Sequence, residues 1–111
     1  MTVEYGSQQR PISIAYSPDS DDAFMMAGLV AKAVATDLHF TFHRDDIQVL
    51  NEAAREGRYD VTAISMAAYP ELADDYYLLP IGASVGDGFG PAVVVAPDSP
   101  YQTMADLCGK T

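Results

Sequence analysis

Short apolar runs alternate with longer helix-like segments along most of this 111-residue chain. The run Pro11–Tyr16 reads P-I-S-I-A-Y, which has the period-two alternation of a strand, and the breaker pair Ser17–Pro18 follows it at once. The next segment, Ala23–Ala35, is rich in Ala, Met and Leu, and predicts a helix buried on most of its faces. Because strand–helix–strand units favour right-handed crossovers, the alternation predicts an α/β fold with a mostly parallel sheet flanked by helices.

The later elements continue this alternation. Ile47, Leu50, Ala53 and Ala54 share one face at helical spacing, and Gly57 is a natural stop for that helix. Apolar and aromatic content predicts the other strands and shorter helices. The strands are His39–His43, Val61–Met66, Tyr76–Ile81 and Pro91–Ala96, and the helices are Ala67–Ala73, broken near its start by Pro70, and Tyr101–Leu107.

The composition predicts one globular lobe. Hydrophobic residues make up 49% of the chain and charged residues 20%, which is enough apolar material for one domain core. We expect residues 1–10 to be a leader, 11–97 a first α/β lobe, and 98–111 a linker with the start of a truncated second lobe. Neither a secretory signal nor an apolar run long enough for a bilayer is present, so the sequence predicts a cytoplasmic protein without a membrane partner.

The charge and the cysteine count narrow the classes of partner. Sixteen acidic residues against six basic ones give a formal net charge of -10, which would repel nucleic acid and anionic lipid headgroups. The single cysteine, Cys108, can make no internal disulfide and has no second thiol for a zinc site. We therefore expect a small-molecule ligand, with no metal and no cofactor.

In a parallel sheet, ligands bind outside the carboxyl ends of the strands. The segments that follow the predicted strands are Ser17–Asp22, Arg44–Asp46, Ser65–Ala67 and the loop Gly82–Gly90. We expect these segments to open on one edge, although many such edges in α/β domains bind nothing.

Other motifs are better explained by structure than by chemistry. The acids of Asp19–Asp22 fit a helix N-terminus better than a calcium loop, because Ala23 and Phe24 stand where an oxygen ligand and a glycine belong. Gly86, Gly88 and Gly90 are spaced G-x-G-x-G and lead into a predicted strand, which does not fit dinucleotide binding.

Catalytic side chains are hard to find in the sequence. His39 and His43 are most simply strand residues, and no nucleophile is paired with either of them. Ser65 is either a ligand contact or an ordinary serine at a strand end.

Four motifs occur in an order that resembles the menaquinone biosynthesis family of the futalosine pathway. They are S-P-D-S-D-D-A-F (17–24), D-I-Q-V-L-N (46–51), E-G-R-Y-D-V-T-A-I-S (56–65) and L-P-I-G-A-S-V-G-D-G-F-G-P (79–91). The resemblance implies a lobe like that of type II periplasmic binding proteins, in the N-terminal half of a two-lobed protein. It also implies a lyase step that converts cyclic dehypoxanthine futalosine to 1,4-dihydroxy-6-naphthoate. A chorismate dehydratase-like relative and a non-catalytic solute-binding protein are the alternatives.

The same resemblance implies which residues would contact a carboxylated, hydroxylated substrate. It places the catalytic histidine in a second lobe beyond Thr111, so this chain is expected to be inactive alone. A half-molecule of this kind would expose apolar surface, and self-association of the chain is a further expectation. The substrate contacts carried over by position are Asp22, Asn51, Ser65, Ser84, Gly86, Gly88 and Gly90.

Overall fold

A small parallel sheet forms the centre of the protein in the computed structural model, which describes residues 3–80, 82–90 and 92–110. The sheet has three strands in the order β2-β1-β3, where β1 is Ile12–Tyr16, β2 is Phe40–Arg44 and β3 is Val61–Thr62. Both pairings are parallel, and Ile14 lies opposite a β2 residue on one side and a β3 residue on the other. The predicted α/β class with a parallel sheet is therefore confirmed.

Helices connect and follow the strands. They are α1 (Ser20–Val30), α2 (Ile47–Arg55) and α3 (Tyr69–Leu72), with 3-10 turns at Met66–Ala68 and Met104–Leu107. Pro70 lies in the first turn of α3, where its missing N–H costs nothing, so it starts this helix and does not break it. None of the helices in the described ranges is both long and apolar enough to span a membrane.

The core lies between α2, β1 and the α3 region. Leu50 is completely buried, and Ala53 and Ala54 are 1% and 2% exposed, so three of the four residues predicted to share a face of α2 form the core. Asp46 caps this helix, since its side chain accepts a hydrogen bond from the backbone N–H of Gln48 at 2.8 Å. Helical periodicity alone thus located the best-packed element.

The expectation that the first helix is buried on most faces is wrong. No residue of α1 is buried, and the Phe24 side chain is 85% exposed. The helix also begins earlier than Ala23 and ends at Val30, since Lys32 adopts a positive φ of 55°. Apolar composition shows only that a helix can be buried. Burial also needs a second helix or strand that packs against it, and none of the described elements packs over α1.

The two later strands are also absent from the described part of the chain. Residues 76–80 and 92–96 form no strand, and Tyr77 and Val94 are 98% and 85% exposed. Ile81 and Pro91, the end of one predicted strand and the start of the other, lie outside the described residues. A strand exists only when a neighbour pairs with its backbone groups, and these apolar runs have no such neighbour in the described ranges.

The third strand is shorter than predicted. It covers Val61–Thr62, and its last ladder bond runs from the backbone N–H of Ala63 to the carbonyl of Ala15 at 2.8 Å. The chain then turns, because Ser65 begins the 3-10 turn at Met66–Ala68.

The residues predicted as a leader pack at the other end of the sheet. Gly6 is buried with a φ of +79°, and its carbonyl accepts a hydrogen bond from the His39 N–H at 2.8 Å. Nearby, one carboxylate oxygen of Asp60 accepts from both the N–H and the hydroxyl of Ser13, at 2.8 and 2.7 Å. The Ser13 hydroxyl, followed by that of Tyr5, lowers the pKa of Asp60 from its ordinary value. These bonds join β1 to the residue that precedes β3.

Candidate functional site

Three polar segments leave the sheet at the carboxyl ends of its parallel strands. Ser17 follows β1, Asp45 follows β2, and Ser65 lies three residues beyond β3. The backbone N–H of Asp45 donates to the carbonyl of Tyr16 at 3.3 Å, which keeps the first two of these exits side by side. The strands that form therefore have polar segments at their carboxyl ends, as predicted, and ligand binding at this edge stays a prediction.

Two of the predicted site residues, Asn51 and Ser65, contact each other directly. Asn51 lies on α2 and is 6% exposed, whereas Ser65 is half-buried. The backbone N–H of Ser65 donates to Asn51 Oδ1 at 3.0 Å, and Asn51 Nδ2 donates to Ser65 Oγ at 3.1 Å. This pair of bonds fixes the turn after β3 onto α2, because both polar atoms of a buried side-chain amide bond to that turn.

Asp22 lies in the first turn of α1 and closes the loop that leaves β1. Its Oδ2 accepts a hydrogen bond from the backbone N–H of Ser17 at 2.8 Å, while the Ser17 hydroxyl donates to Asp19 at 3.1 Å. The helix N-cap residue, Asp19, makes no side-chain cap of its own. Asp22 thus has a clear structural task at the edge where a ligand contact was predicted.

Ser84 reaches the same helix end but contacts a neighbour of Asp22. Its hydroxyl donates to Asp21 Oδ2 at 2.7 Å, and the two residues line an open cavity of about 490 Å³. Gly82 allows this approach, because its φ is +78° and a Cβ there would lie 3.3 Å from Met25 Sδ. The cavity is lined by Ser20, Asp21, Phe24, Met25, Gly82, Ala83 and Ser84.

The other loop glycines are not brought to this cavity. A Cβ built on Gly88 or Gly90 would meet no atom within 4 Å, and one on Gly86 would approach only the neighbouring Phe89. Gly88 has a φ of +71°, so its role visible here is to permit the turn of the loop.

The edge has two parts of different electrostatic character. Around α1 it is acidic, with Asp19, Asp21 and Asp22 close together in sequence, whereas residues 61–70 around Ser65 carry no charge. His43, on β2, is exposed and stacks on Tyr59 with ring centroids 5.0 Å apart. This arrangement can orient hydroxyl, carbonyl or carboxylate groups of a ligand, but it brings no histidine base next to Ser65.

Of the seven residues that line the cavity, only Ser84 was predicted as a site residue. Asp21 was considered only as part of an acidic helix start, and Met25 and Gly82 were not considered as site residues. The sequence did contain an indication for Gly82, because this residue begins the glycine-containing loop that was predicted to reach this edge. For Asp21 and Met25, the relevant contact joins residues about 60 positions apart, which no local pattern reveals.

The parallel sheet order and the helices that connect its strands place this chain in the α/β class, with polar groups at the strand ends. Comparison with known families identifies the protein family within this class. Residues 12–107 match the family model described as menaquinone biosynthesis. The chain belongs to this family.

Two named relatives are longer than this chain. It is 38% identical over 104 residues to a 1,4-dihydroxy-6-naphthoate synthase of Streptomyces coelicolor, covering 90% of this chain and 34% of the relative. It is 33% identical over 96 residues to the synthase of Thermus thermophilus, covering 86% of this chain and 35% of that relative. The chain thus spans about a third of the length of these curated relatives.

A solved structure supports the fold. A crystal structure of a protein from Archaeoglobus fulgidus superposes with a TM-score of 0.69 at 46% identity, over 72% of this chain and 30% of that chain. The Archaeoglobus fulgidus protein is therefore similar to this chain in both fold and sequence over most of the described residues.

Proposed function

We propose that this chain forms one wall of the substrate cleft of a 1,4-dihydroxy-6-naphthoate synthase. The substrate is a carboxylated, hydroxylated small molecule, cyclic dehypoxanthine futalosine, and the reaction is a carbon–carbon lyase step that releases 1,4-dihydroxy-6-naphthoate. Asp22, Asn51, Ser65 and Ser84 hold the substrate, directly or through one another, and the base that takes a proton comes from a second lobe. The complete protein is cytoplasmic, with two lobes like those of type II periplasmic binding proteins.

The observation that carries this proposal is the Asn51–Ser65 pair at the ligand edge. It fixes a half-buried hydroxyl next to an uncharged turn, within a chain that matches two synthases over most of its length. A fixed hydroxyl lowers the entropy cost of binding a polar substrate group. The lack of a histidine beside this pair in the described residues supports a division of labour in which this wall binds and another part of the enzyme reacts.

A chimera tests the proposal. The matching third of the Streptomyces coelicolor synthase is replaced by this chain, and release of 1,4-dihydroxy-6-naphthoate from cyclic dehypoxanthine futalosine is followed by chromatography. We expect turnover by the chimera and a rise in KM when it carries Ser65→Ala. The matched control is Ser99→Ala, which lies far along the chain from the ligand edge. A folded chimera that binds neither substrate nor product would overturn the proposal.

A further inference from the structure

The Ser65 hydroxyl is held by a side chain that also determines where its proton can point. Asn51 uses both of its polar atoms on Ser65, accepting from the backbone N–H at 3.0 Å and donating to Oγ at 3.1 Å. A backbone N–H can only donate, so the Asn51 oxygen has to face it. The Asn51 nitrogen must then face Ser65 Oγ, and the amide orientation follows from the bonding pattern.

The consequence is a hydroxyl of fixed polarity. An amide N–H can only donate, so Ser65 Oγ is an acceptor in this bond and its own proton must lie elsewhere. Among the described residues, the Ser65 hydroxyl donates to no backbone or side-chain acceptor. That proton is therefore available to a ligand at the edge beyond β3.

The surroundings indicate what kind of group would accept it. Ser65 is half-buried, and residues 61–70 carry no charge that could compete for its proton. A hydrogen bond made in such partly desolvated surroundings is stronger than one in water, and a ligand without an acceptor there would leave the donor unpaired. The turn therefore favours an acceptor oxygen, and carboxylate and carbonyl oxygens are the ones that can only accept.

We propose that Asn51 is a positioning residue that makes Ser65 a hydrogen-bond donor and so selects a ligand bearing a carboxylate or carbonyl oxygen at this point. The direction of the hydroxyl rests on the contacts in this chain. The identity of the ligand rests on the proposed function, and we assign the carboxylate of that substrate as the group that accepts from Ser65. Asn51 itself touches no ligand in this arrangement.

The first experiment needs no ligand. Hydrogen exchange of the two Asn51 Nδ2 protons is measured by NMR in the 111-residue chain. We expect one of them to exchange more slowly than the other, since one is bonded to Ser65 Oγ. Ser65→Ala should abolish that difference while the backbone N–H at the same position stays protected by Asn51 Oδ1. Equal exchange of the two Nδ2 protons in the unaltered chain would overturn the assigned polarity.

The second experiment measures ligand binding in a double-mutant cycle. The probe is 1,4-dihydroxy-6-naphthamide, titrated at pH 8. Its amide group is neutral, so the negative charge that an Asn51→Asp variant introduces does not repel it. Asn51→Asp places an ionised acceptor oxygen where Nδ2 stood. The Ser65 hydroxyl then donates its proton to that oxygen and can no longer donate it to a ligand. Ser65→Ala and Asn51→Asp should each weaken binding roughly 3- to 10-fold, and the double variant should bind no more weakly than Ser65→Ala alone.

The outcomes separate the two proposals. If Asn51→Asp still weakens binding in the Ser65→Ala background, Asn51 does not act through Ser65 and its positioning role is overturned. In a Ser65→Thr background, which keeps a hydroxyl, the sensitivity to Asn51→Asp should return. If the exchange pattern is found but the unaltered chain binds neither the naphthamide nor 1,4-dihydroxy-6-naphthoate, the proposed function fails, and the assigned ligand class fails with it.

Discussion

Residues 12–72 and residues 77–96 differ in structure far more than in apolar content. The first region contains the three strands, the three helices and most of the core, whereas every described residue of the second is exposed. The second region nevertheless has a single charged residue, Asp87. Apolar side chains therefore do not produce a strand or a core by themselves, because both need a partner surface in the same structure.

The largest expected contrast between the two regions is in stability. Leu50→Ala removes the one large side chain that is completely buried among the described residues, so we expect a loss of about 2–5 kcal/mol in the free energy of unfolding. Val94→Ala, in the exposed region, should change it by less than about 0.5 kcal/mol. Urea denaturation followed by circular dichroism measures both. Similar losses for the two variants would show that residues 77–96 are packed in solution.

The second contrast concerns a single carboxylate at the amino end of the sheet. Asp60 joins β1 to β3 through Ser13, so Asp60→Asn should destabilise the first region by on the order of 1 kcal/mol at neutral pH, since solvent reaches these bonds. Asp74→Asn is the matched control, because the Asp74 side chain makes no hydrogen bond within the described residues.

The pH dependence of this loss has a definite sign. The pKa of Asp60 is lowered in the folded protein, chiefly by the Ser13 hydroxyl, so its contribution is complete above the ordinary Asp pKa of about 3.9. The contribution disappears as the pH falls through the lower folded value. The difference between the unaltered chain and Asp60→Asn should therefore shrink below about pH 4 in urea titrations. A difference that grows on acidification would contradict the assigned bonds.

The sequence predicts the structure of residues 12–72 much better than that of residues 77–96. The parallel α/β class, β1, β2 and the buried face of α2 were predictable, because each has a local pattern that agrees with its neighbours. Asn51 and Ser65 were predicted as site residues, but their mutual bonds were not, since those bonds join side chains 14 positions apart. The predictions of a buried α1 and of strands at Tyr76–Ile81 and Pro91–Ala96 were wrong. Burial and strand pairing both depend on contact with another element, which a local sequence pattern does not reveal.

The exposed region also supports a prediction about association. Tyr77, Phe89 and Val94 are at least 85% exposed, as is Phe24 on α1, and an apolar surface of this kind favours contact between copies of the chain. We expect light scattering to give a mass above 11.9 kDa, rising with salt as the repulsion between chains of charge -10 is screened. Val94→Asp should lower the mass, whereas Gln102→Asp adds the same charge outside the region and should have less effect. A strictly monomeric chain at high salt would contradict the expectation.

The smallest expected effect lies where the two regions meet. The Ser84 hydroxyl donates to Asp21 at 2.7 Å, and this is the only side-chain hydrogen bond that joins residues 77–80, 82–90 and 92–96 to residues 12–72 in the described structure. Because the bond is exposed, Ser84→Ala should cost less than about 0.5 kcal/mol in the free energy of unfolding. Its effect should instead be local, as faster hydrogen exchange at Ala83 and Val85 without a change at Leu50. Ser84→Thr keeps the hydroxyl and should keep the slower exchange. If Ser84→Ala leaves exchange at both neighbours unchanged, the bond to Asp21 does not hold the loop against α1, and the cavity beside Phe24 and Met25 has no fixed wall on that side.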